Sequence, residues 1–272
     1  MNVDLTQLLN DWPYEPGKIN VRLIQGEDGE QKVQVRLDLG VLQMNIDGRP
    51  DGHTPHGYDN LLEYYEARLD EASGGEDPEE RGEPGGGEPA GAAEAEAPQE
   101  APAFVLTPED CRALREEAVQ YYHRYVALLV LEDYDRVVRD TTRNLRLLDL
   151  CAEHAQAEDD RTVLEQFRPY ITMMRARALA SQALRDNEPK AALHAIDEGI
   201  ESLRRYFADN DATDMFESSN EVQMLRGMRE SLVPRLPVSQ KSELRQRLQR
   251  AIEAENYELA AILRDELKML PE

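Results

Sequence analysis

The chain has 272 residues, a formal net charge of −24, and 32% charged against 6% aromatic residues. This length accommodates one large or two small domains, and no apolar run reaches the roughly 18 to 20 residues that cross a bilayer. The acidity disfavours direct binding of nucleic acid, because lysine and arginine must replace the counterions of the phosphate backbone. The sequence also contains no local basic run that would offset it.

The first residues and the cysteines indicate the cellular compartment. Met1 to Asp4 lack the basic start and apolar stretch of a secretory signal, which predicts a cytoplasmic protein. Cys111 and Cys151 lie far apart in helical sequence, so they offer neither a CxxC pair nor a disulfide framework. We expect both to be small buried apolar residues.

Residues 1–71 are predicted to form a small α+β unit. Apolar and polar residues alternate over 19–23, 33–39 and 42–46, and Asp28-Gly29 separates the first two runs. Alternation is typical of half-buried strands, and Asp-Gly favours a tight hairpin because glycine accepts a positive φ. The pattern therefore predicts a three-stranded antiparallel meander.

Two helices are expected to flank this meander. A short opening helix with Leu5, Leu8, Leu9 and Trp12 on one face should end at Pro13. A second, amphipathic helix over 58–70 is predicted to cover one face of the sheet; its apolar residues are Tyr58, Leu61, Leu62, Tyr65 and Leu69.

Residues 72–103 consist mainly of Gly, Glu, Pro and Ala. Such a segment has little apolar surface to offset its chain entropy, and its like charges repel one another. The sequence predicts a disordered acidic linker here.

Residues 104–237 are predicted to be almost entirely helical. Thr107-Pro108-Glu109-Asp110 is a helix start, with Thr as the cap, Pro in the first turn and acidic residues at the positive end of the dipole. Turn-forming residues divide the rest, and the predicted helices are 107–131, 133–155, 160–186, 188–208 and 214–231.

Part of this region, Met173 to Tyr206, resembles a tetratricopeptide repeat. Small residues surround its turn, which lets two antiparallel helices pack closely; they are Ala178, Ala183, Ala191, Ala192 and Ala195. Because the turns do not recur at a regular spacing, we predict stacked, tetratricopeptide-like helical hairpins, with a true repeat solenoid as the alternative.

Residues 238–272 are predicted to form a C-terminal helical hairpin, with helices over 240–254 and 256–269. Leu244, Leu248, Ala251 and Ile252 share one face of the first helix, and the second carries the stripe Leu263, Leu267 and Leu270. Near the turn the residues Ala260 and Ala261 are small, and Tyr257 is placed to shield them.

This run of residues resembles the UVR motif, the helical hairpin named for the UvrB and UvrC excision-repair subunits and present in McsA-type adaptors and Clp ATPases. The resemblance implies that the hairpin pairs with another protein's hairpin or with its own copy. Its expected partner-binding residues are those named above, together with Arg264 and Asp265, which form either a polar pair fixing register or a solvated surface pair.

Two short helices bury little apolar surface between themselves. The remaining stripe must dock on the chain's own helical region, on a second copy, or on a partner. The last two outcomes are functional.

The sequence predicts no catalytic residue, no cofactor and no metal site. It contains no GxSxG, HExxH or Walker pattern. His53 and His56 are the one closely spaced histidine pair, in a loop near Asp47, Asp51 and Asp59, where nothing constrains a zinc geometry. The CxxC pairs of McsA-type adaptors and the catalytic cores of UvrB and UvrC are absent.

These observations predict a bacterial, cytoplasmic, non-enzymatic adaptor whose C-terminal hairpin docks a partner protein, while the helical region presents a second surface. Two alternatives come from the resemblance alone. One is an accessory factor of nucleotide excision repair linked to UvrB and UvrC, and the other is a regulator of a Clp-type protease or kinase complex.

Overall fold

The computed structural model describes residues 4–73, 104–232, 240–253 and 263–264. Its α-helices are α1 (Thr6–Asp11), α2 (Leu61–Ser73), α3 (Pro108–Val130), α4 (Tyr134–His154), α5 (Glu158–Thr162), α6 (Arg168–Arg185), α7 (Pro189–Asp209), α8 (Asn220–Leu232) and α9 (Gln240–Glu253). The strands are β1 (Asn20–Gln25), β2 (Gln31–Arg36) and β3 (Val41–Asn45). This confirms a mainly α chain with a small α+β unit near the N-terminus. In these ranges no helix is both long and apolar enough to cross a membrane.

The three strands form an antiparallel sheet in the order β1-β2-β3, as the alternation predicts. In its register Val33 lies opposite both Leu23 and Met44, so apolar side chains gather on one face. Gly29 has a φ of 82° in the turn between β1 and β2, which is the conformation that favours glycine. The predicted linker, 72–103, overlaps the end of α2 at residues 72 and 73, and the rest of it, 74–103, lies outside the described residues.

The helical region is built from helical hairpins with closely similar turns. Glu132, Asn187 and Asp211 have positive φ values of 59°, 61° and 53°. After each of them, the next backbone N–H donates to the carbonyl five residues earlier, for example Glu188 to Ala183 at 2.7 Å. This is the hydrogen bond of a helix C-terminus that ends in a left-handed residue, so the chain reverses at each turn.

Small residues bring α6 and α7 close together. Ala178 and Ala192, which the sequence places beside this turn, are fully buried. Two turns of helix beyond Ala192, a Cβ added at Gly199 would lie 2.5 Å from the Cβ of Ala176. Since real Cβ atoms essentially never approach so closely, glycine is required for this helix contact.

Two predicted helices are interrupted. The range 160–186 divides into α5, a 3-10 turn at Glu165–Phe167, and α6, because Pro169 lies in the first turn of α6, where its missing N–H is tolerated. Similarly, the range 214–231 begins with a 3-10 turn at Thr213–Ser218 before α8 starts.

The second flanking helix, α2, does not cover the sheet, contrary to the prediction. Its buried Leu62 and Tyr65 belong to a core cluster with Leu114 of α3 and Leu147 of α4. Its first backbone N–H, that of Leu61, donates to the buried carboxylate of Glu117 at 3.0 Å, and this contact anchors α2 on α3.

The sheet packs against helices further along the chain. Val33 and Met44 join a second core cluster that contains Tyr125 and Leu128 of α3 and continues into α6, α7 and α8. The N-terminal strands and the helical hairpins therefore share one core. The predicted limits of the separate domains, at residues 71, 103 and 237, remain predictions.

A buried ion pair fixes the sheet to the helices at what we call the polar junction, formed by Arg124, Asp140 and the loop after β3. Arg124 is 1% exposed and donates to both oxygens of Asp140, at 2.7 and 2.9 Å. It also donates to the carbonyls of Asn45 and Gly48, at 3.0 and 2.7 Å. One guanidinium thus joins α3, α4 and the loop.

At the solvent edge of the polar junction, Arg136 and Arg139 of α4 hold Asp47. The guanidinium of Arg136 donates to both carboxylate oxygens, at 2.9 and 3.0 Å. Hydrogen bonding from Arg136, with Arg139 contributing less, lowers the pKa of Asp47 to about 2. The carboxylate is therefore ionised over the whole physiological range.

Candidate functional site

The first helix of the predicted C-terminal hairpin corresponds to α9, and its observed range matches the predicted one closely. Leu244 lies in this helix. Leu248 is half-buried and Ala251 is 4% exposed, whereas Ile252 is 46% exposed. The predicted apolar face is therefore divided between a covered part and an exposed branched side chain.

From the second helix, only Leu263 and Arg264 are described. Leu263 is 2% exposed, and Arg264 is exposed to solvent. The remaining predicted partner-binding residues lie outside the described residues; they are Tyr257, Ala260, Ala261, Asp265, Leu267 and Leu270.

The described hairpin residues do not join the main core. Both core clusters draw on the segment between Val21 and Leu232, and within the described ranges neither includes a residue of α9 or Leu263. Ala251 and Leu263 are thus covered without entering either cluster. The exposed side of Ile252 remains as apolar surface in contact with water.

The charge of α9 contrasts with that of the whole chain. It carries four basic and two acidic residues, a net charge of +2, in a protein of net charge −24; the basic residues are Lys241, Arg245, Arg247 and Arg250, and the acidic ones are Glu243 and Glu253. Complementary charges guide association and orientation, so a partner surface with acidic side chains suits this helix.

The histidine loop of the N-terminal unit is occupied by internal contacts. His56 stacks on Tyr64 with ring centroids 4.2 Å apart. Asp47 is held by the two arginines described above, and Asp51 accepts from the backbone N–H of His53 and from Gln120, at 3.0 and 2.9 Å. Within the part of the chain that the structure describes, no group of three or more His, Cys, Asp or Glu residues is placed to hold a metal ion.

The two cysteines are brought together, although the sequence separates them. Cys111 of α3 and Cys151 of α4 are 0% and 1% exposed and belong to the same core cluster. Burial raises the pKa of Cys151 to about 12. A thiol that stays protonated is a poor nucleophile, so the pair behaves as buried apolar residues.

The structure also contains a groove between α3 and α6 that the sequence did not predict. Its floor is α4, and its volume is about 550 Å³. A signal for it was present in α3, where Val119, Tyr122, Val126 and Val130 recur at helical spacing on a face that adjoins the core-facing one, with Val126 half-buried against the core. We call this feature the α3–α6 groove; its main lining residues are Arg115, Val119, Tyr122, Tyr125, Phe167 and Tyr170.

Comparison with known proteins gives one finding. No curated protein and no solved structure matches the chain significantly. Residues 239–270, however, match the family model described as the UvrB/uvrC motif, which confirms the resemblance predicted for the C-terminal hairpin and links this segment to UvrB- and UvrC-type proteins.

Proposed function

We propose that this chain is a non-enzymatic adaptor whose C-terminal hairpin, residues 239–270, docks on a partner protein. The observation that carries the proposal is the exposure of Ile252 in a segment that matches the UvrB/uvrC motif. An exposed isoleucine alone is ordinary on protein surfaces. Here it lies beside the covered Ala251, on a helix whose described side chains, those of residues 247–253, belong to neither core cluster.

The energetics support a binding role for this hairpin. Helices shorter than about 12 to 15 residues are marginal in water, and α9 has 14 residues. Covering Ile252 and the half-buried Leu248 would remove further apolar area from water, at roughly 25 cal/mol per Å². A partner that supplies an apolar face with acidic flanks would stabilise the hairpin and bind it in one step.

The non-enzymatic part of the proposal is supported by the roles of the buried charged groups. The guanidinium of Arg124 donates to Asp140 and to the backbone carbonyl of Asn45. The carboxylate of Glu117 accepts from the backbone N–H of Leu61. Each of them thus has a structural task.

A second candidate function is that of an accessory factor in nucleotide excision repair. The match of residues 239–270 to the UvrB/uvrC motif favours it. In this case the partner would be an excision-repair subunit that carries its own hairpin of the same type, and DNA would be reached through that subunit.

The first experiment uses the full chain and two substitutions in α9, Leu248→Asp and Ile252→Asp, compared with Met215→Asp. Met215 is 57% exposed and lies outside the hairpin, so its variant makes the same chemical change elsewhere. Tagged proteins are used for affinity capture from the native cell, with mass spectrometry of the bound proteins, and size-exclusion chromatography with light scattering tests self-association.

We expect both α9 variants to lose a partner, or the dimer, that the wild type and Met215→Asp retain. Equal recovery from all four proteins would refute docking through the hairpin. For the second candidate, the purified chain is titrated with the UVR-bearing repair subunits; absence of binding at micromolar concentrations would remove that function and leave the adaptor proposal standing.

A further inference from the structure

The α3–α6 groove is lined by residues of the helical region between Arg115 and Ile171, and no described residue of 239–270 lines it. Its walls come from α3, α6 and the 3-10 turn before α6, and its floor from α4. The lining residues that matter are Arg115, Val119, Tyr122, Tyr125, Phe167 and Tyr170.

The rim of the groove exposes large apolar side chains. Val119 is 53% exposed, Tyr122 is 40% exposed and Phe167 is 52% exposed. Single exposed apolar residues need no explanation, but several around one concavity are typical of a binding site. The apolar stripe of α3 continues beyond the groove, through the half-buried Val126, to the exposed Val130, so it spans 12 residues, or about 16 Å of helix.

The groove also offers hydrogen-bond donors. Tyr125 is 1% exposed, yet its hydroxyl makes no hydrogen bond to any residue that the structure describes. Tyr122 and Tyr170 face each other from α3 and α6 with ring centroids 6.1 Å apart. The Tyr125 hydroxyl oxygen is not among the buried side-chain atoms that lack a partner, so it opens into the groove and can donate to an acceptor on a bound molecule.

The charge of the lining suits an acidic occupant. In a chain of net charge −24, no Asp or Glu lines this groove. Burial lowers the pKa of His123, which leaves Arg115 as the fixed positive charge of the lining, and its partner Asp160 lies outside the lining residues. The lining therefore contributes no negative charge of its own, and the ion pair of Arg115 with Asp160 is neutral overall.

We propose that the α3–α6 groove binds a peptide segment of a partner protein that combines at least two large apolar side chains with a carboxylate. The apolar anchors fill the space between Val119, Tyr122 and Phe167, and the carboxylate accepts from the tyrosine hydroxyls and Arg115. A peptide is favoured over a small molecule because the exposed stripe extends along α3 past the groove.

The test begins with selection from a phage-displayed library of random 16-residue peptides on the immobilised full chain. The most enriched sequence is then synthesised with a fluorescent label, and its binding is measured by anisotropy. The groove variants are Val119→Asp and Phe167→Asp, both at exposed positions, and Tyr125→Phe, which removes a hydroxyl alone. Met215→Asp is the matched control, and Leu248→Asp reports binding through the hairpin.

We expect enriched peptides with several apolar residues and an excess of Asp and Glu. Their affinity should fall at least tenfold with Val119→Asp and Phe167→Asp, and about two- to tenfold with Tyr125→Phe, the range of one lost hydrogen bond. Met215→Asp and Leu248→Asp should bind as the wild type does.

Three results would overturn this inference: no enrichment over uncoated surface, enriched peptides that are basic, or groove variants that bind normally. Loss of binding with Leu248→Asp alone would assign the peptides to the hairpin. That outcome would reject the groove and support the proposed function, so the two proposals fail separately. Circular dichroism of each variant shows whether a loss of binding comes from unfolding.

Discussion

Two buried junctions hold this molecule together by different means. The polar junction between the sheet and the α3–α4 hairpin depends on Arg124, a buried charge whose partners come from three parts of the chain. The junction between α6 and α7 depends on small size, because Gly199 and Ala176 allow the two backbones to approach. Geometry is thus specified by charge in one place and by the absence of side-chain volume in the other.

The two junctions differ in the kinds of substitution that they tolerate. Removal of one partner from a buried ion pair leaves an uncompensated charge, whereas replacement of both partners by apolar residues is often neutral. A close helix contact has the opposite sensitivity, since adding a single methyl group is harmful. The following predictions test this contrast, from the largest expected effect to the smallest.

Arg124→Ala should reduce the free energy of unfolding by about 3 to 5 kcal/mol, because the buried Asp140 loses the guanidinium that bonds both of its oxygens and keeps only the 40% exposed Arg139, and because the carbonyls of Asn45 and Gly48 lose their donor. Urea denaturation measures the loss. The double variant Arg124→Met with Asp140→Leu should recover part of it, since both charges are then absent. A loss below about 1 kcal/mol for the single variant would show that the polar junction is dispensable.

Gly199→Ala should reduce the free energy of unfolding by about 1 to 3 kcal/mol, because α6 and α7 must separate to accept the methyl group. Gly227 of α8 is the matched control, since a Cβ there meets nothing within 4 Å. Gly227→Ala should stabilise the protein by about 0.5 to 1 kcal/mol through helix propensity. Thermal unfolding that shows the same sign for both variants would contradict the close contact.

The turns of the two hairpins should respond differently to glycine. Glu132 adopts a left-handed conformation in the turn of the α3–α4 hairpin, so Glu132→Gly should stabilise the protein by up to about 1 kcal/mol. Asn187 occupies the corresponding position between α6 and α7, and asparagine tolerates this conformation better. Asn187→Gly should therefore raise the melting temperature less, and the reverse order would be inconsistent with these turn geometries.

Asp47→Asn should have the smallest effect, because the Asp47 side chain is 57% exposed and solvent screens its ion pairs. The pKa of Asp47 is lowered from 3.8 to about 2. Its contribution is therefore complete above pH 4 and is lost as the pH falls toward 2. The wild type should exceed the variant in melting temperature at pH 6 by a small margin that disappears near pH 2, and a margin that grows on acidification would have the wrong sign.

Local patterns predicted much of the fold. Alternating apolar residues and Asp28-Gly29 were sufficient for the meander, since a strand pair with a tight turn depends on neighbours in sequence. Alanines beside the turn at Asn187 likewise indicated the close approach of α6 and α7. Gly199 was not identified, because a glycine inside a helix has no local signature of the partner that it accommodates.

The polar junction could not be predicted in the same way. Arg124 and Gly48 are separated by 76 positions, and the acceptors on the N-terminal side are backbone carbonyls, which any sequence provides. On α3, Glu117 and Arg124 occupy positions on the same face as Leu114 and Leu128, and this mixture of polar and apolar residues was the available signal. Predicting the ion pair from this signal would have required knowing which loop packs against α3.

For the candidate site, the sequence predicted the helix but not the exposure of its residues. Ala251 and Ile252 are neighbours on the predicted face, yet one is buried and the other is nearly half exposed. Which of them is covered depends on what packs against α9, and periodicity alone does not provide that. The sequence did not predict the α3–α6 groove for a related reason: the residues of its two walls are separated along the chain by the whole of α4.

The arrangement of the sheet has a consequence for synthesis on the ribosome. Val33 and Met44 are covered by Tyr125 and Leu128, which are translated about 80 to 95 residues later; at about 5 to 20 residues per second, this is a delay of several seconds. During that interval the nascent strands present an uncovered apolar face and open edges to the surrounding solution. The N-terminal strands therefore need protection from aggregation until α3 has been synthesised.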